Sequence, residues 1–331
     1  MKRKSTKCPD CGDIVYAEPV DRRSFLRAAG AGAAALAMAR VPAWGQDAKP
    51  DRSAEEMIKE LFGNLSDEQK KQVIHPFDDA RRGQIYNRAL DVTIGKAFTK
   101  PQQDLVQKIV RALASDENGW NQITRGGTWD ASKSFDNCGA DLFGSSDGKY
   151  TFVFSGHHLT LRCDGDSVPG PALGGPLYYG HTPNGYSSNN LFQYQTKSAL
   201  AVFDGMTEEQ RGKAVIVGSP GEGLGSIKFR AAGEARPGIA LGEFNKDQLA
   251  LVEKVMRDLL SPYRKADGDE AMEVVKAKGG LEKLNLAFYK EKDATDPRRM
   301  WSFWRIEGAG FVWNFRVLPH VHTFVNISAA V

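Results

Sequence analysis

Histidine and cysteine are scarce in this 331-residue chain, with six of the first and four of the second. Nowhere does it reach the eighteen or so consecutive apolar residues of a membrane span. Its longest weakly apolar stretch, Ala28 to Ala39, is a dozen residues of mostly Ala and Gly. No Gly-X-Ser-X-Gly elbow is present, which removes one serine-hydrolase signature. An excess of charge is missing too, since 44 Lys and Arg stand against 41 Asp and Glu. The first 45 residues hold eight of those basic residues and four of the acidic ones, so the remainder is close to neutral. With no basic groove interleaved with aromatics, nucleic acid is excluded as a partner.

Against that scarcity, the placement of the histidines is informative. Four of the six fall in two close pairs, His157-His158 and His320-Val321-His322, while His75 and His181 stand alone. The first pair lies in Tyr150 to Cys163, the strongest strand signal in the chain. Read as one strand, it places Val153, Ser155, His157, Leu159, Leu161 and Cys163 in one row and Phe152, Phe154, His158, Thr160 and Arg162 in the other. In the second pair both imidazoles share a strand face, roughly 6.6 Å apart at a rise of about 3.3 Å per residue. Two ligands of one metal can come from that spacing, and His157 or His158 can supply a third, leaving a position open as catalytic sites require. His158 is the preferred third ligand because it shares a row with polar residues, whereas His157 lines up with leucines. Buried histidines that only pack and hydrogen-bond are the bland alternative.

The N-terminal segment reads as a twin-arginine export signal: Arg22-Arg23-Ser24-Phe25-Leu26-Arg27, then the short Ala-rich run, then Val41-Pro42-Ala43 before a cleavage point near residue 45. The expectation is export in folded form through the twin-arginine machinery to the periplasm or exterior of a bacterium, with no membrane attachment after cleavage. Cys8 and Cys11 lie ahead of the arginines and form half a zinc ribbon at best. Cys138 and Cys163 stay in the mature chain, where an oxidising compartment permits a disulfide and folding before export works against it.

About 286 residues follow residue 45, enough for one large domain. They read as two halves, about 55–165 and 196–331. Phe98 to Ser115 aligns without gaps to Phe244 to Ser261 with nine identities in eighteen positions, and Leu65 to Ile74 parallels Met206 to Val215. Each reads as a helix with a Ser, Thr or Asn cap. The expected fold is α+β, two duplicated helix-helix-β-hairpin halves packed with antiparallel sheet about a pseudo-twofold axis. That axis brings the Gly156-His157-His158 strand opposite the Arg305-Ile306-Glu307-Gly308 hairpin. Between the halves, Ser167 to Asn190 reads as a long Gly-, Pro- and Tyr-rich loop, with His181 facing solvent. Val215 to Gly225 reads as a strand entering a loop without phosphate-loop spacing. Lys276 to Lys292 reads as an ordinary charged surface stretch.

An ordered set of short motifs carries a resemblance. Gly156-His157-His158-Leu159, Gly180-His181-Thr182-Pro183, Thr207-Glu208-Glu209-Gln210, Asn245-Lys246-Asp247-Gln248, and Arg305-Ile306-Glu307-Gly308 leading to His320-Val321-His322 together resemble the domain-of-unknown-function family numbered 3500. The resemblance covers most of the chain after the signal and brings no activity with it. In that family the His-X-His strand often continues into Arg-Asp and a tail ending near Asp-Tyr-Gly. Here it continues through Thr323-Phe324-Val325-Asn326 instead.

These readings lead to an exported protein that binds one transition metal, zinc or copper, through His158 or His157 with His320 and His322. Glu307 is the expected proton acceptor of a metal-dependent hydrolase, and redox chemistry is the copper counterpart. The alternative is a non-catalytic exported protein that grips a small-molecule ligand in its Tyr- and Gly-rich loop.

Overall fold

The computed structural model describes residues 52–231, 233–291 and 301–330. The arginine pair, the Ala-rich run, Cys8 and Cys11 lie outside the described residues. The first half runs α1 (Ala54–Asn64), α2 (Asp67–Val73), β1 (Ile74–His75), α3 (Ile94–Ala97), α4 (Lys100–Ala112), α5 (Glu117–Thr124), β2 (Gly139–Gly144), β3 (Tyr150–Gly156), β4 (Leu159–Cys163) and β5 (Leu177–His181). The second runs α6 (Gln193–Gly205), α7 (Glu208–Ala214), β6 (Val215–Val217), β7 (Ile239–Ala240), α8 (Lys246–Leu260), α9 (Lys265–Ala277), β8 (Asn285–Lys290), β9 (Phe303–Gly308), β10 (Phe311–Arg316) and β11 (Val321–Ile327). Among the described residues no helix is long and apolar enough to cross a membrane. The class is α+β, as expected from the sequence.

Helix starts follow from local chemistry. Ser66, Thr99, Thr207 and Asn245 each form a capping box with the Gln three residues on, so that donors otherwise left open in the first turn are satisfied. The same glutamines reach across to a second helix. Gln69 donates to Gln102 Oε1 at 2.7 Å and to the Ala97 carbonyl, and Gln210 donates to Gln248 Oε1 at 3.3 Å and to the Glu243 carbonyl. Each cap therefore also fixes how its helix sits on the next.

Among the described residues the eleven strands belong to one sheet of order β1-β2-β3-β4-β5-β11-β10-β9-β8-β6, with β7 paired to β8. Read from either edge the pattern is the same: a short strand parallel to its neighbour, then an antiparallel run to the centre, where β5 pairs with β11. Registers match as well. Gly156 pairs with Leu159 around one two-residue turn and Gly308 with Phe311 around another.

One sheet face carries Phe152, Phe154, Leu161, Trp304, Trp313 and Val325, packed against Ile58, Val106, Val202 and Val255 of the helices. The opposite face is covered by the segments after β1 and β6, whose Tyr86, Leu90, Ile227 and Phe229 pack in small clusters against Phe143, Val153, Tyr178 and Phe324. Buried polar side chains on this second face include Thr160, Arg162, Arg305, Glu307, Arg316 and His322. Most of the larger apolar surface is thus buried under the helices, and the second face is free to carry polar groups, provided each finds a partner.

Four expectations are corrected here. Tyr150 to Cys163 is a hairpin, not one strand, because His157 and His158 form the turn between β3 and β4. Cross-strand partners share a face, so Phe152 and Phe154 lie with Leu161 and Cys163, while Ser155 and Val153 lie with Thr160 and Arg162. The Gly-rich stretch 167–190 contains β5, a central strand of the sheet, and the charged stretch 276–292 contains β8. His181 is half-buried rather than solvent-facing and accepts from the Leu191 N–H at 3.2 Å. Cys138 and Cys163 are both buried and free.

Candidate metal centre

The centre begins with a strained turn. His158 is left-handed at φ 53°, a conformation that costs a side-chain-bearing residue about 1–2 kcal/mol. Its backbone is held from several sides. Asn87 Oδ1 accepts its N–H at 2.7 Å, and its carbonyl accepts from the Gly180 N–H at 3.0 Å and from Arg125 Nη2. Arg125, at the end of α5, is buried and spends its other donors on the carbonyls of Gly180, Gln122 and Ile123. A buried guanidinium surrounded by carbonyls is a rigid clamp.

From this turn the His158 ring reaches across Gly180 of β5 to β11. Gly180 pairs with His322, and a Cβ there would come within 2.3 Å of the Val321 carbonyl and 3.0 Å of the His322 ring. Only glycine leaves room for the rings to meet. His320 Nε2 lies 3.1 Å from His158 Nε2 and 2.8 Å from His322 Nε2. The ring centroids of His320 and His322 are 4.6 Å apart, so the two side chains lean together along the strand.

Carboxylates set the far side of two rings. His158 Nδ1 is 2.7 Å from Asp130 Oδ2, and His322 Nδ1 is 2.8 Å from Glu222 Oε1. A carboxylate accepts, so each Nδ1 carries the proton and each Nε2 presents a lone pair. At His320 the Nε2 faces Arg316 Nη2 at 3.1 Å, and a guanidinium only donates, so this nitrogen is an acceptor as well. The three Nε2 atoms come together with all three residues buried, and His320 has a single Nε2 lone pair to give to Arg316 or to a metal. Mutual repulsion of acceptors is relieved by a cation between them. Metal bonds of about 2.0–2.1 Å in a tetrahedron put ligand nitrogens about 3.3 Å apart, a little wider than the separations here. Carboxylates behind metal-binding imidazoles orient the rings and raise their basicity.

Burial pushes the imidazoles toward the neutral form that a metal needs. It lowers His158 to about 4 and, with the neighbouring charges of His322 and Arg316, His320 to about 2. His322 is held well below its usual value, again by burial first and Arg316 second. Burial alone would raise Asp130, but hydrogen bonds from His157 and His158 outweigh it and keep the carboxyl below its usual range.

The sequence-derived residues are placed as follows. His158, His320 and His322 come together. His157 lies beside them, its ring centroid 3.9 Å from that of His158 and its Nδ1 3.5 Å from Asp130 Oδ2, so Asp130, His157 and His158 form a second ligand-like group. Glu307 does not join them. Arg316 pairs with Phe303 of β9 and with His322, and Glu307 sits four residues further along β9, bound to Arg230 at 3.2 Å and Arg305 at 2.8 Å. The Gly308 hairpin was expected to face the histidines. Because β4 and β10 run in opposite directions, its turn lies at the other end of the sheet.

Asp130, Glu222, Arg316 and Arg125 went unrecognised in the sequence. Glu222 had one signal: it is the lone acid in Ser219-Pro220-Gly221-Glu222-Gly223-Leu224-Gly225, a loop after β6 with nothing else to offer chemistry. Asp130 lies in a segment with no repeat, motif or periodicity.

Residues 47–327 match the family described as "Protein of unknown function (DUF3500)". The chain belongs to the DUF3500 family. No curated protein and no solved structure matches it. The three-histidine cluster of this DUF3500 chain therefore has to be read from its own geometry.

Proposed function

We propose that this protein holds one transition metal, zinc or copper, on the Nε2 atoms of His158, His320 and His322, and acts as an exported metal-dependent hydrolase or oxidoreductase on a small molecule. The observation that supports it most is the meeting of three buried imidazole Nε2 atoms, two of them left unprotonated by a carboxylate on the opposite nitrogen. Three neutral nitrogens with a further position open are the donor set of catalytic zinc and also suit copper. Such a metal supplies a water of lowered pKa or, for copper, an electron. Asp130 holds His158 in its tautomer, and Glu222 does the same for His322. His157, whose ring lies 3.9 Å from that of His158, takes the acid-base role in place of Glu307.

Elemental analysis of protein made without a histidine tag tests this. About one zinc or copper per chain is expected, and a folded protein that stays metal-free after loading would sink the reading. It would favour the second one, a non-catalytic ligand-binding protein, which the guanidinium of Arg316 so near His320 supports.

Export rests on Arg22-Arg23 and the short Ala-rich run. Changing both to Lys should leave the protein in the cytoplasm, and unchanged export would remove the twin-arginine machinery as a partner.

A further inference from the structure

We propose that a small carboxylate anion binds beside this centre on Arg316, in the place that the Glu222 carboxylate occupies until the ligand displaces it. The inference rests on the metal reading above.

Charge supplies the first argument. Four charged side chains touch the three imidazoles or their backbone: Arg125 and Arg316, Asp130 and Glu222. They balance, so a divalent cation leaves the cluster two units positive among residues that are mostly buried. Uncompensated charge in such surroundings is costly, so a ligand that displaces the Glu222 carboxylate from Arg316 has to be an anion itself.

Geometry supplies the second. Glu222 links Arg316 to the outer nitrogen of His322 as a bound carboxylate would, with Oε2 2.8 Å from Arg316 Nη1 and Oε1 2.8 Å from His322 Nδ1. Arg316 is itself locked, donating from Nε to the His320 carbonyl at 3.0 Å, so its fork points at a fixed place. A planar guanidinium presented this way matches a carboxylate.

Glu222 is also the component able to leave. Its side chain is 33% exposed, against 6% for Arg316 and His322. It rides on a loop with left-handed glycines at 218, 221 and 223, around which nothing packs within 4 Å of an added Cβ. Between Gly221 and Gly223 the loop is tied to the sheet, besides Glu222, by Asn314 donating to the Gly221 carbonyl at 2.9 Å, and its ends are held by the Gly218 N–H on the Lys290 carbonyl and by Arg305 on the Ser226 carbonyl. Asp130, by contrast, is 12% exposed and shared between two histidines.

The test measures acetate affinity by line broadening of the acetate methyl signal, with acetamide as the neutral isostere, on zinc-loaded and metal-free wild type, Glu222→Gln and Arg316→Met. Glutamine can still accept from His322 Nδ1 but no longer neutralises Arg316. Zinc-loaded wild type should prefer acetate to acetamide, Glu222→Gln should bind acetate at least tenfold more tightly, and Arg316→Met at least tenfold more weakly. Should Arg316→Met lose its native circular dichroism, Arg316→Lys serves, with an intermediate loss. Acetate affinities within twofold across folded, equally zinc-loaded variants overturn the proposal, as does equal binding of acetamide. If no variant takes up zinc, the metal reading falls separately. The metal-free samples then decide, since a tighter Glu222→Gln keeps the anion site and an unchanged one removes it.

Discussion

Two hairpin turns occupy matching places in the sheet. Gly156-His157-His158-Leu159 joins β3 to β4, and Gly308-Ala309-Gly310-Phe311 joins β9 to β10, each with its outer residues paired and its third residue left-handed, at φ 53° for His158 and 69° for Gly310. Each third residue offers its carbonyl to a neighbouring N–H, of Gly180 in one case and Ser328 in the other, at 3.0 and 2.8 Å. What differs is where the glycine sits. At the second turn glycine is in the turn, and a Cβ there would come 2.1 Å from the Ser328 carbonyl. At the first turn the side chain is in the turn and the glycine is its neighbour, Gly180. Exchanging glycine and side chain across one hydrogen bond opens space for an imidazole without changing the backbone plan. A left-handed histidine stands where glycine would be unstrained, and the exchange places its ring among those of His320 and His322.

The largest effect should come from removing the β11 rings that meet the first turn. His320→Ala and His322→Ala should each cut bound metal from about one per chain to under a tenth, read by elemental analysis after dialysis, whereas Glu307→Ala at the other end should leave it unchanged. Equal loss in all three would erase the distinction between the turns.

Next are the two glycines. Gly310→Ala meets backbone in a left-handed position and should cost about 2–4 kcal/mol in urea unfolding with metal content intact. Gly180→Ala should cost a similar amount and also lose metal at least tenfold, since its methyl enters the space between His158 and His322. Metal loss in Gly310→Ala would show that the turns are not separable.

A smaller effect is expected behind the ring. Asp130→Asn keeps the shape but weakens the hold on His158 Nδ1, and metal affinity should fall about 10–100-fold by competition with a chelating dye. A change under twofold would make Asp130 an ordinary surface acid.

The smallest concerns pH at the outer strands, where β2 carries Asp141 and the matching β8 carries Ala287, paired respectively with Val153 and Arg305. Burial raises Asp141 to about 6 despite His75 at 3.0 Å. A folded pKa above the unfolded 3.8 means that its favourable contribution is present below about 3.8 and lost as pH rises through about 6. Relative to Asp141→Asn, wild type should therefore lose roughly 1–2 kcal/mol between pH 4 and 6.5. A parallel pair of stability curves would refute this.

Some of the structure was open to a reader of the sequence because it is local. A capping box needs only a Ser, Thr or Asn and a Gln three residues later, so the starts of α2, α4, α7 and α8 are legible without tertiary knowledge. The histidine pairs were legible because six histidines leave little room for chance. The turn at His157-His158 also left a trace that periodicity alone obscured. Apolar residues fall on even positions at Phe152 and Phe154 and on odd ones at Leu159, Leu161 and Cys163. A two-residue turn produces that switch of parity, and a continuous strand does not.

Other parts could not be read locally. β5 is five residues in a stretch dense in Gly and Pro, and becomes a central strand only because β4 and β11 offer it hydrogen bonds on both edges. Asp130 and Glu222 reach the site from 28 and 100 residues away along the chain, and nothing in their own segments marks the distance in space. Glu307 shows the converse, an acid in a promising motif that strand direction carries to the far end of the sheet. Short-range chemistry, caps and alternation and rare residues paired, thus named four of the helices and three of the imidazoles from sequence alone. Which nitrogen each imidazole turns inward was decided by the carboxylates and guanidinium that the sheet order brings beside it, because a hydrogen bond sets a tautomer only when its partner is already in place.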